Sequence, residues 1–263
     1  MSDSHTFKHD AMKTTFTLRL IHAQAEHARD AANQAFTLID EIENALSRYI
    51  PGSDVSQINQ MKSGQTLYIS ETCYECMRIA LRIYVDSDGL FDITLGRQIE
   101  HQKNAMAGVV PRIEGQLMVD PDRPVIHCVE AGREIDLGGI GKGYALDRIV
   151  PLLRDLGIQS GLIAAGASTQ LAFGENSWKI ELTGSTNMPV VELKNQALSV
   201  SGISIQGSHI VSPRQAELTQ FPHARVRVIH KEAACADAWS TACLLMTEGE
   251  IETVKDRIKI HCS

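Results

Sequence analysis

The segment Asp136-Leu-Gly-Gly-Ile-Gly-Lys-Gly-Tyr-Ala-Leu-Asp147 places four glycines within six positions, directly before a helical pattern. Glycine has no Cβ atom, so its backbone N–H groups can come close to a ligand. The helix start adds unpaired amides and the positive end of a dipole, and Lys142 adds a cation, a combination that suits an anion. The spacing matches neither a Walker loop nor a dinucleotide-binding fingerprint. A glycine-rich turn needed only for close packing would explain the pattern equally well.

Composition and charge limit the classes of protein to which the chain can belong. The 263 residues are 43% hydrophobic and 22% charged, which is ordinary for a globular protein with one large domain or two small ones. The formal net charge of −7 argues against a surface that binds nucleic acid or an anionic membrane. An anionic ligand would therefore need a local pocket.

The N-terminal residues and the cysteines bear on the cellular compartment. Residues 1–10 have no apolar core of signal-peptide length, and no apolar run is long enough to span a bilayer. We therefore expect a cytoplasmic protein, or a periplasmic one if a leader has been removed. Cys73 and Cys76 form a C-x-x-C pair in a helical pattern, without a second pair or a nearby histidine. Zinc normally takes four such ligands, so we expect packing residues in a reducing compartment.

Apolar periodicity predicts an α+β fold in a single domain, residues 1–263, with a mixed, mainly antiparallel sheet and packed helices. Residues 97–122 are polar and marked by glycine and proline, and we expect an inserted loop there. Helices are predicted at residues 24–49, 53–59, 70–86, 144–157, 233–246 and 249–259, with Ser53 and Ser70 as N-caps of the second and third. Strands are predicted at residues 13–22, 65–69, 124–129, 134–137, 161–165, 169–173, 178–182, 190–193, 197–200, 209–213 and 226–229.

Asp237 and Thr241 form the second informative feature. They are four residues apart on a predicted helix, so both oxygens project from one face. A carboxylate with a hydroxyl suits a hard cation such as Mg²⁺, which takes its other ligands from water, phosphate or backbone carbonyls. From spacing alone, an acid favoured in the first helical turn is the simpler interpretation. Small apolar neighbours and Trp239 favour a buried carboxylate instead.

His209 and Asp92 are ambiguous in isolation. His209 precedes an apolar pair and is expected to begin a strand, but lone histidines are usually structural and this chain has ten. Asp92 lies between Phe91 and Ile93, where an unpaired carboxylate would be costly to bury. It could cap a turn as readily as it could bind a ligand.

Five motifs occur in a fixed order along the chain. They are Leu-Ser-Arg-Tyr49 with Ser-Asp-Val-Ser-Gln-Ile-Asn59, then Gly-Leu-Phe-Asp92-Ile-Thr-Leu-Gly, the glycine segment with Lys142, Ser-His209-Ile-Val, and Asp237-Ala-Trp-Ser-Thr. Over nearly its whole length the chain resembles the FAD:protein FMN transferases. These are the bacterial ApbE-type flavin transferases once labelled thiamine-biosynthesis lipoproteins.

The resemblance implies an enzyme of protein flavinylation. Members of this family split FAD with Mg²⁺, attach FMN by a phosphoester to a threonine of a target flavoprotein, and release AMP. Carried over by motif, the FAD site would be lined by Met12, Tyr49, Leu90, Phe91, Asp92, Asp136 and Lys142. Asp237, Ser240, Thr241 and the backbone of Gly139 would hold the metal, and His209 would sit beside the reacting phosphate or the incoming threonine.

The chain departs from the family pattern at two places. The family has Met-Gly-Thr where residues 12–14 read Met-Lys-Thr, and this lysine could crowd the site or add a phosphate contact. The family's His-Ile-Ile-Asp-Pro-x-Thr-Gly is replaced at residues 209–216 by His-Ile-Val-Ser-Pro-Arg-Gln-Ala, close to the predicted catalytic histidine. The altered positions are Lys13, Ser212, Gln215 and Ala216.

Two other functions remain open. One is a non-catalytic FAD-binding or flavin-storage protein, and the other is an FAD pyrophosphatase in which water replaces the threonine and FMN and AMP are formed. Whichever function applies, we expect the protein to bind FAD in preference to FMN or riboflavin, since only a pyrophosphate would fully use both Lys142 with its glycine amides and the helix that carries Asp237. We also expect Asp237→Ala to abolish metal-dependent turnover at little cost in stability.

Overall fold

An antiparallel sheet of seven strands forms the centre of the protein, in a computed structural model that describes residues 3–104, 109–182, 190–202, 210–214 and 221–262. All neighbouring strands in this sheet run antiparallel. In spatial order they are β1 (Asp3–Ala11), β2 (Thr14–His22), β6 (Ser160–Ala165), β7 (Thr169–Phe173), β10 (Gln196–Gly202), β11 (Arg225–His230) and β12 (Lys259–Cys262). The predicted α+β class with a mainly antiparallel sheet is confirmed.

One face of the sheet carries the main core. Phe16, Leu18 and Leu20 alternate along β2 with more exposed residues and are fully buried. Helix α1 (Ala25–Leu46) packs against β1 and β2. Its small side chains allow a close approach and are buried at Ala28, Ala31, Ala32 and Ala35.

Two more helices complete this layer. Helix α5 (Gly141–Asp155) packs against α1, β6 and β7. Helix α6 (Ala233–Leu245) packs against α5, β10 and β11, and every one of its residues except Thr241 is buried. On a separate, smaller core, β8 (Trp178–Ile180) pairs with β9 (Val191–Leu193). That second core joins Ala172, Ile180, Leu193, Leu198, Val200 and Ile229.

The remaining elements surround this frame. A small antiparallel sheet has the order β3 (Thr66–Tyr68), β5 (Val125–Glu130) and β4 (Gln116–Val119). The predicted caps are confirmed, because Ser53 Oγ accepts the N–H of Ser56 and Ser70 Oγ accepts the N–H of Cys73. The helices of this region are α2 (Asp54–Ile58), α3 (Glu71–Asp86), α4 (Gly96–Lys103) and, near the C-terminus, α7 (Glu248–Val254).

The structure differs from the sequence-based expectations in several places. The range 97–122 holds most of α4 and all of β4, which exist because they pair with distant residues: Gly96 N–H donates to Glu134 O, and β4 pairs with β5. Residues 134–137 form one isolated bridge and no strand. Residues 210–213 are not a strand, and His209 lies outside the described residues. The polar strand β1 is not among the predicted strands. Helix α7 ends at Val254, and β12 begins at Lys259, so the predicted helix over 249–259 is too long.

Two further observations concern the membrane and the cysteines. Among the residues that the structure describes, no helix combines the length and the apolar character needed to cross a bilayer. Cys73 and Cys76 are buried and unbridged. Burial is the main reason that the pKa of each thiol is raised well above its ordinary value, so both remain protonated packing groups.

Candidate active site

A cavity of about 600 Å³ opens beside the glycine-rich segment. Its volume is in the range that small-molecule sites usually occupy. The wall comes from parts of the chain that are far apart in sequence: the β1–β2 turn, the end of α1, residues 90–95, α4, residues 136–142, residues 210–211 and one residue of α6. The predicted residues on this wall are Met12, Tyr49, Leu90, Phe91, Asp92, Asp136, Gly139, Lys142 and Thr241.

The glycine-rich segment serves both packing and the cavity. A Cβ atom on Gly143 would lie 2.2 Å from the carbonyl oxygen of Ala233, so glycine is required where α5 meets α6. Gly138, Gly139 and Gly141 instead line the cavity. Close packing and a ligand-facing backbone, the two interpretations of the sequence pattern, therefore apply to different glycines of one turn.

Asp237 joins this turn to α6. Its carboxylate is fully buried, and its Oδ2 accepts the N–H of Gly143 at 3.2 Å. The Lys142 Nζ lies 3.7 Å from the same oxygen and also donates to the Gly138 carbonyl at 3.1 Å. Lys142 lines the cavity and Asp237 does not, so the carboxylate lies directly behind the lysine. The buried-carboxylate interpretation of Asp237 is the one that the structure supports.

Thr241 and Gly139 meet at the same end of the cavity. A Cβ atom on Gly139 would lie 3.4 Å from Thr241 Oγ1, so the hydroxyl reaches the glycine backbone closely. Ser240 is buried behind this wall, where its Oγ donates to the Asp237 carbonyl at 2.9 Å and lies 2.8 Å from Ser201 Oγ. Of the predicted metal ligands on α6, only Thr241 reaches the cavity surface in this arrangement.

A second polar group surrounds Asp136. This carboxylate is only 8% exposed, and its Oδ2 lies 3.4 Å from Lys103 Nζ and 3.7 Å from Arg48 Nη1. Arg48 also donates to Glu134 at 2.5 Å. Lys103 further donates to the Tyr49 hydroxyl at 3.1 Å. Burial lowers the pKa of Lys103, but Asp136 and Tyr49 outweigh that effect and raise it, so the ammonium group stays charged.

Sequence reasoning missed Lys103 because residues 97–122 were expected to be a loop. The missed signal is helical spacing, since Ile99 and Lys103 are four residues apart on α4 and both line the cavity. With Lys13, Arg48 and Lys142, this lysine makes the wall richer in cations than the motifs alone indicate.

Met12 and Lys13 form the two-residue turn between β1 and β2. Ala11 pairs with Thr14, and both turn residues have positive φ, 49° and 57°. This is the conformation that a tight hairpin turn requires and that glycine adopts most readily. The Lys13 Nζ lies 3.9 Å from the centre of the Tyr49 ring. Lys13 therefore covers one face of an aromatic ring at the cavity wall.

Asp92 caps a turn at the cavity wall. Its Oδ1 accepts both the N–H and the hydroxyl of Thr94, at 2.8 and 2.7 Å, and its Oδ2 lies 3.8 Å from Arg133. The turn-capping alternative is thus realised, in a residue that also lines the cavity. A ligand that contacts Asp92 would meet a carboxylate already held in place.

His209, Gln215 and Ala216 lie outside the described residues, and their predicted roles stay predictions. Ile210 and Val211, which follow His209 directly, line the cavity. Ser212 is buried, and its hydroxyl accepts the N–H of Arg214 at 3.3 Å. The departure from the family pattern at Ser212 therefore lies next to the cavity wall.

The arrangement defines an α+β protein whose cavity wall carries a glycine-rich turn, the ammonium groups of Lys13, Lys103 and Lys142, and the Thr241 hydroxyl. The model of the ApbE family matches residues 12–262, and the chain therefore belongs to that family.

Two curated relatives are both named FAD:protein FMN transferase. The FAD:protein FMN transferase of Buchnera aphidicola is 26% identical over 239 residues, covering 79% of this chain and 70% of the relative. The FAD:protein FMN transferase of Salmonella typhimurium is 24% identical over 288 residues, covering 94% and 79%.

Solved structures share the fold. The flavin transferase ApbE from Vibrio cholerae superposes with a TM-score of 0.86 at 20% identity, covering 100% of this chain and 94% of that one. The apo flavinyl transferase ApbE from Pseudomonas stutzeri gives a TM-score of 0.84 at 22% identity, covering 98% and 90%.

Proposed function

We propose that this protein is an FAD:protein FMN transferase, which splits the pyrophosphate of FAD, attaches FMN to a threonine of a target flavoprotein and releases AMP. The observation that carries the proposal is the end of the cavity where Lys142, the glycine backbone and Thr241 converge in front of the buried Asp237. The names of the relatives, which are FAD:protein FMN transferases, support it.

The donor set at this end of the cavity fits Mg²⁺. A carboxylate, a hydroxyl and a backbone carbonyl are hard oxygen ligands. The Lys142 ammonium 3.7 Å from Asp237 already indicates that this carboxylate faces a cation. We propose that Asp237, Thr241 and the Gly139 backbone hold the ion, with Ser240 as the fourth predicted ligand. When bound, Mg²⁺ would neutralise charge that develops on the phosphate oxygens.

The chain's own groups would bind and orient FAD. Lys142 suits the pyrophosphate, where fixed positive charge stabilises the transferring phosphoryl group. Leu90 and Phe91 offer buried apolar surface, and Tyr49 offers an aromatic ring, for the planar parts of the ligand. Asp136, held by Lys103 and Arg48, offers a carboxylate to a polar ring edge.

The acceptor hydroxyl needs a group that takes its proton. We propose His209 for this role, because the residues that follow it line the cavity and a positioned imidazole typically gives about 10²–10⁴-fold in rate. The pyrophosphatase would use the same cavity and differ in the acceptor, since water takes the place of the threonine. The flavin-storage protein would bind FAD in the same cavity without splitting it.

The deciding experiment incubates the protein with FAD and Mg²⁺, with and without a threonine-containing acceptor peptide, and measures AMP, free FMN and covalently bound flavin. We expect AMP together with flavinylated peptide. Lys142→Ala should lower the rate of AMP release by about 10²–10³-fold, as the loss of a donor to a charged transition state does, whereas the exposed Lys179→Ala on β8 should not.

The other outcomes separate the alternatives. AMP and free FMN without labelled peptide would indicate the pyrophosphatase. Tight FAD binding without AMP would indicate a storage protein. Absence of FAD binding would overturn the proposal as a whole.

A further inference from the structure

Two hydroxyl groups hold the inner side of the Asp237 carboxylate. Thr169 Oγ1 donates to Asp237 Oδ1 at 3.1 Å, and Ser199 Oγ lies 3.2 Å from the same oxygen. Ser199 Oγ also lies 3.2 Å from the Ser168 carbonyl oxygen, so these two acceptors share its one proton. Thr169 lies on β7 and Ser199 on β10, directly opposite each other in the ladder. Because opposite residues in an antiparallel pair point to the same face, both side chains reach α6 together.

This pair is unusual for its surroundings. Thr169, Ser199 and Asp237 are all 0% exposed, and the other buried residues of α6 are apolar except Ser240. A buried hydroxyl without a partner is costly, so three polar side chains at one buried point are stable only as a hydrogen-bonded set. Ser199 Oγ also lies 3.3 Å from Ser240 Oγ, so the hydrogen-bonded set includes a second predicted metal ligand of α6.

The two carboxylate oxygens of Asp237 therefore contact different groups. Oδ1 faces the sheet and its two hydroxyls, whereas Oδ2 faces the Gly143 amide and the Lys142 ammonium. Hydrogen bonds to Oδ1 restrict rotation of the Asp237 carboxylate about its Cβ–Cγ bond. As a result Oδ2 is aimed at the cavity end of the turn before any ligand arrives.

We propose that Thr169 and Ser199 are positioning residues that set the orientation of Asp237 for the cation and the pyrophosphate. The inference rests on the proposed function, because it assigns a purpose to the orientation of a proposed metal ligand. Neither residue lines the cavity; Thr169 contacts the proposed ligand Asp237, and Ser199 contacts both Asp237 and Ser240. Groups that orient a metal ligand from behind typically change metal affinity about 10–100-fold when removed.

The test uses Thr169→Val, Ser199→Ala and the double variant. Mn²⁺, which is visible by electron paramagnetic resonance, is titrated into each protein without FAD, and AMP release is then followed as a function of Mg²⁺. We expect the double variant to bind Mn²⁺ about 10–100-fold more weakly and to need correspondingly more Mg²⁺ for half-maximal rate, with a smaller change in the rate at saturation.

Two controls isolate the hydroxyl group. Thr169→Ser keeps the hydroxyl and should retain the parent affinity for Mn²⁺. Ser160→Ala removes another buried hydroxyl from the same sheet, one that bonds the Phe173 carbonyl and not Asp237, and should leave Mn²⁺ affinity unchanged. Unchanged Mn²⁺ affinity in the folded double variant would overturn the inference.

A crystal structure of the double variant separates this inference from the proposed function. We expect Asp237 Oδ2 to turn away from Gly143 and Lys142 once Oδ1 has lost its donors. A carboxylate that keeps its parent orientation would overturn the positioning role whether or not the parent enzyme is active. A parent that binds no Mn²⁺ and releases no AMP would sink the proposed function, while the orientation of Asp237 would still decide this inference.

Discussion

At the scale of single residues, Asp237 shows how hydrogen bonds and a nearby cation stabilise a buried carboxylate. The carboxylate accepts hydrogen bonds from Thr169, Ser199 and the Gly143 amide, and it faces the Lys142 ammonium. Charged groups are buried only where such donors replace water. The groups that stabilise the buried carboxylate therefore also rely on Asp237 as a hydrogen-bond acceptor or counter-charge.

The expectation from sequence that Asp237→Ala costs little stability is therefore revised. The alanine variant would remove the carboxylate that accepts hydrogen bonds from the Thr169 hydroxyl and the Gly143 amide and that faces the Lys142 ammonium. We expect the free energy of unfolding to fall by about 3 kcal/mol or more, measured by urea denaturation. AMP release should be lost in the fraction that remains folded.

The matched control is Asp155→Ala, which removes an exposed carboxylate at the end of α5 and should change the free energy of unfolding by less than about 0.5 kcal/mol. If Asp237→Ala proved as stable as this control, the hydrogen bonds around Asp237 would contribute little to folding.

At the scale of elements, the crossing of α5 and α6 brings the glycine turn to the metal-ligand helix. Helix α6 has no side-chain cap of its own at Glu232. Instead, the Asp147 carboxylate on α5 accepts the N–H groups of Ala233 and Ala234, both at 2.8 Å. Burial outweighs these bonds and raises the pKa of Asp147 to about 6. One helix therefore caps the other, and Gly143 lets them approach closely enough to do so.

Gly143→Ala should break this crossing. The added Cβ atom would meet backbone atoms of Ala233, which cannot move without shifting the start of α6. We expect the free energy of unfolding to drop by about 1–3 kcal/mol, the usual effect of overpacking, in a denaturant titration.

Gly141→Ala is the internal control in the same helical turn. Its Cβ atom would meet only Leu46 Cδ1, at an ordinary 3.9 Å, and alanine favours a helix by up to about 1 kcal/mol relative to glycine. Equal stability of the two variants would show that the α5–α6 contact can relax freely.

At the scale of the whole molecule, the cavity exists only in the folded chain. Its wall runs from Met12 in the first hairpin to Thr241 in α6, with contributions from α1, α4 and the glycine turn between them. The sheet order places β2 beside β6 and β7 beside β10, which brings these distant segments around one opening. A ligand that fills the cavity would therefore contact segments that are far apart in the sequence.

FAD should stabilise the protein by mass action. At a concentration of about 100 times Kd we expect the free energy of unfolding to rise by about 2.7 kcal/mol, measured by urea denaturation with an unchanged slope. FMN at the same concentration should raise it less, because one phosphate cannot use both Lys142 and the Asp237 end of the cavity. Equal stabilisation by FAD and FMN would contradict the pyrophosphate argument.

The sequence by itself determined the local features and the family. The α+β class, the N-caps Ser53 and Ser70, and the helical pattern that carries Asp237 and Thr241 follow from spacing and capping chemistry within a few residues. The glycine turn was identified for the same reason. These features depend on neighbours along the chain, which a sequence displays directly.

Only the tertiary structure decided which groups meet. The contacts of the Thr169 and Ser199 hydroxyls with Asp237 depend on strand register and on the packing of α6. Lys103 reaches Asp136 because α4 is anchored through Gly96 to Glu134, 38 positions away by sequence number. Such contacts depend on long-range pairing, and the polar residues that make them look like ordinary surface or loop residues when they are read one after another.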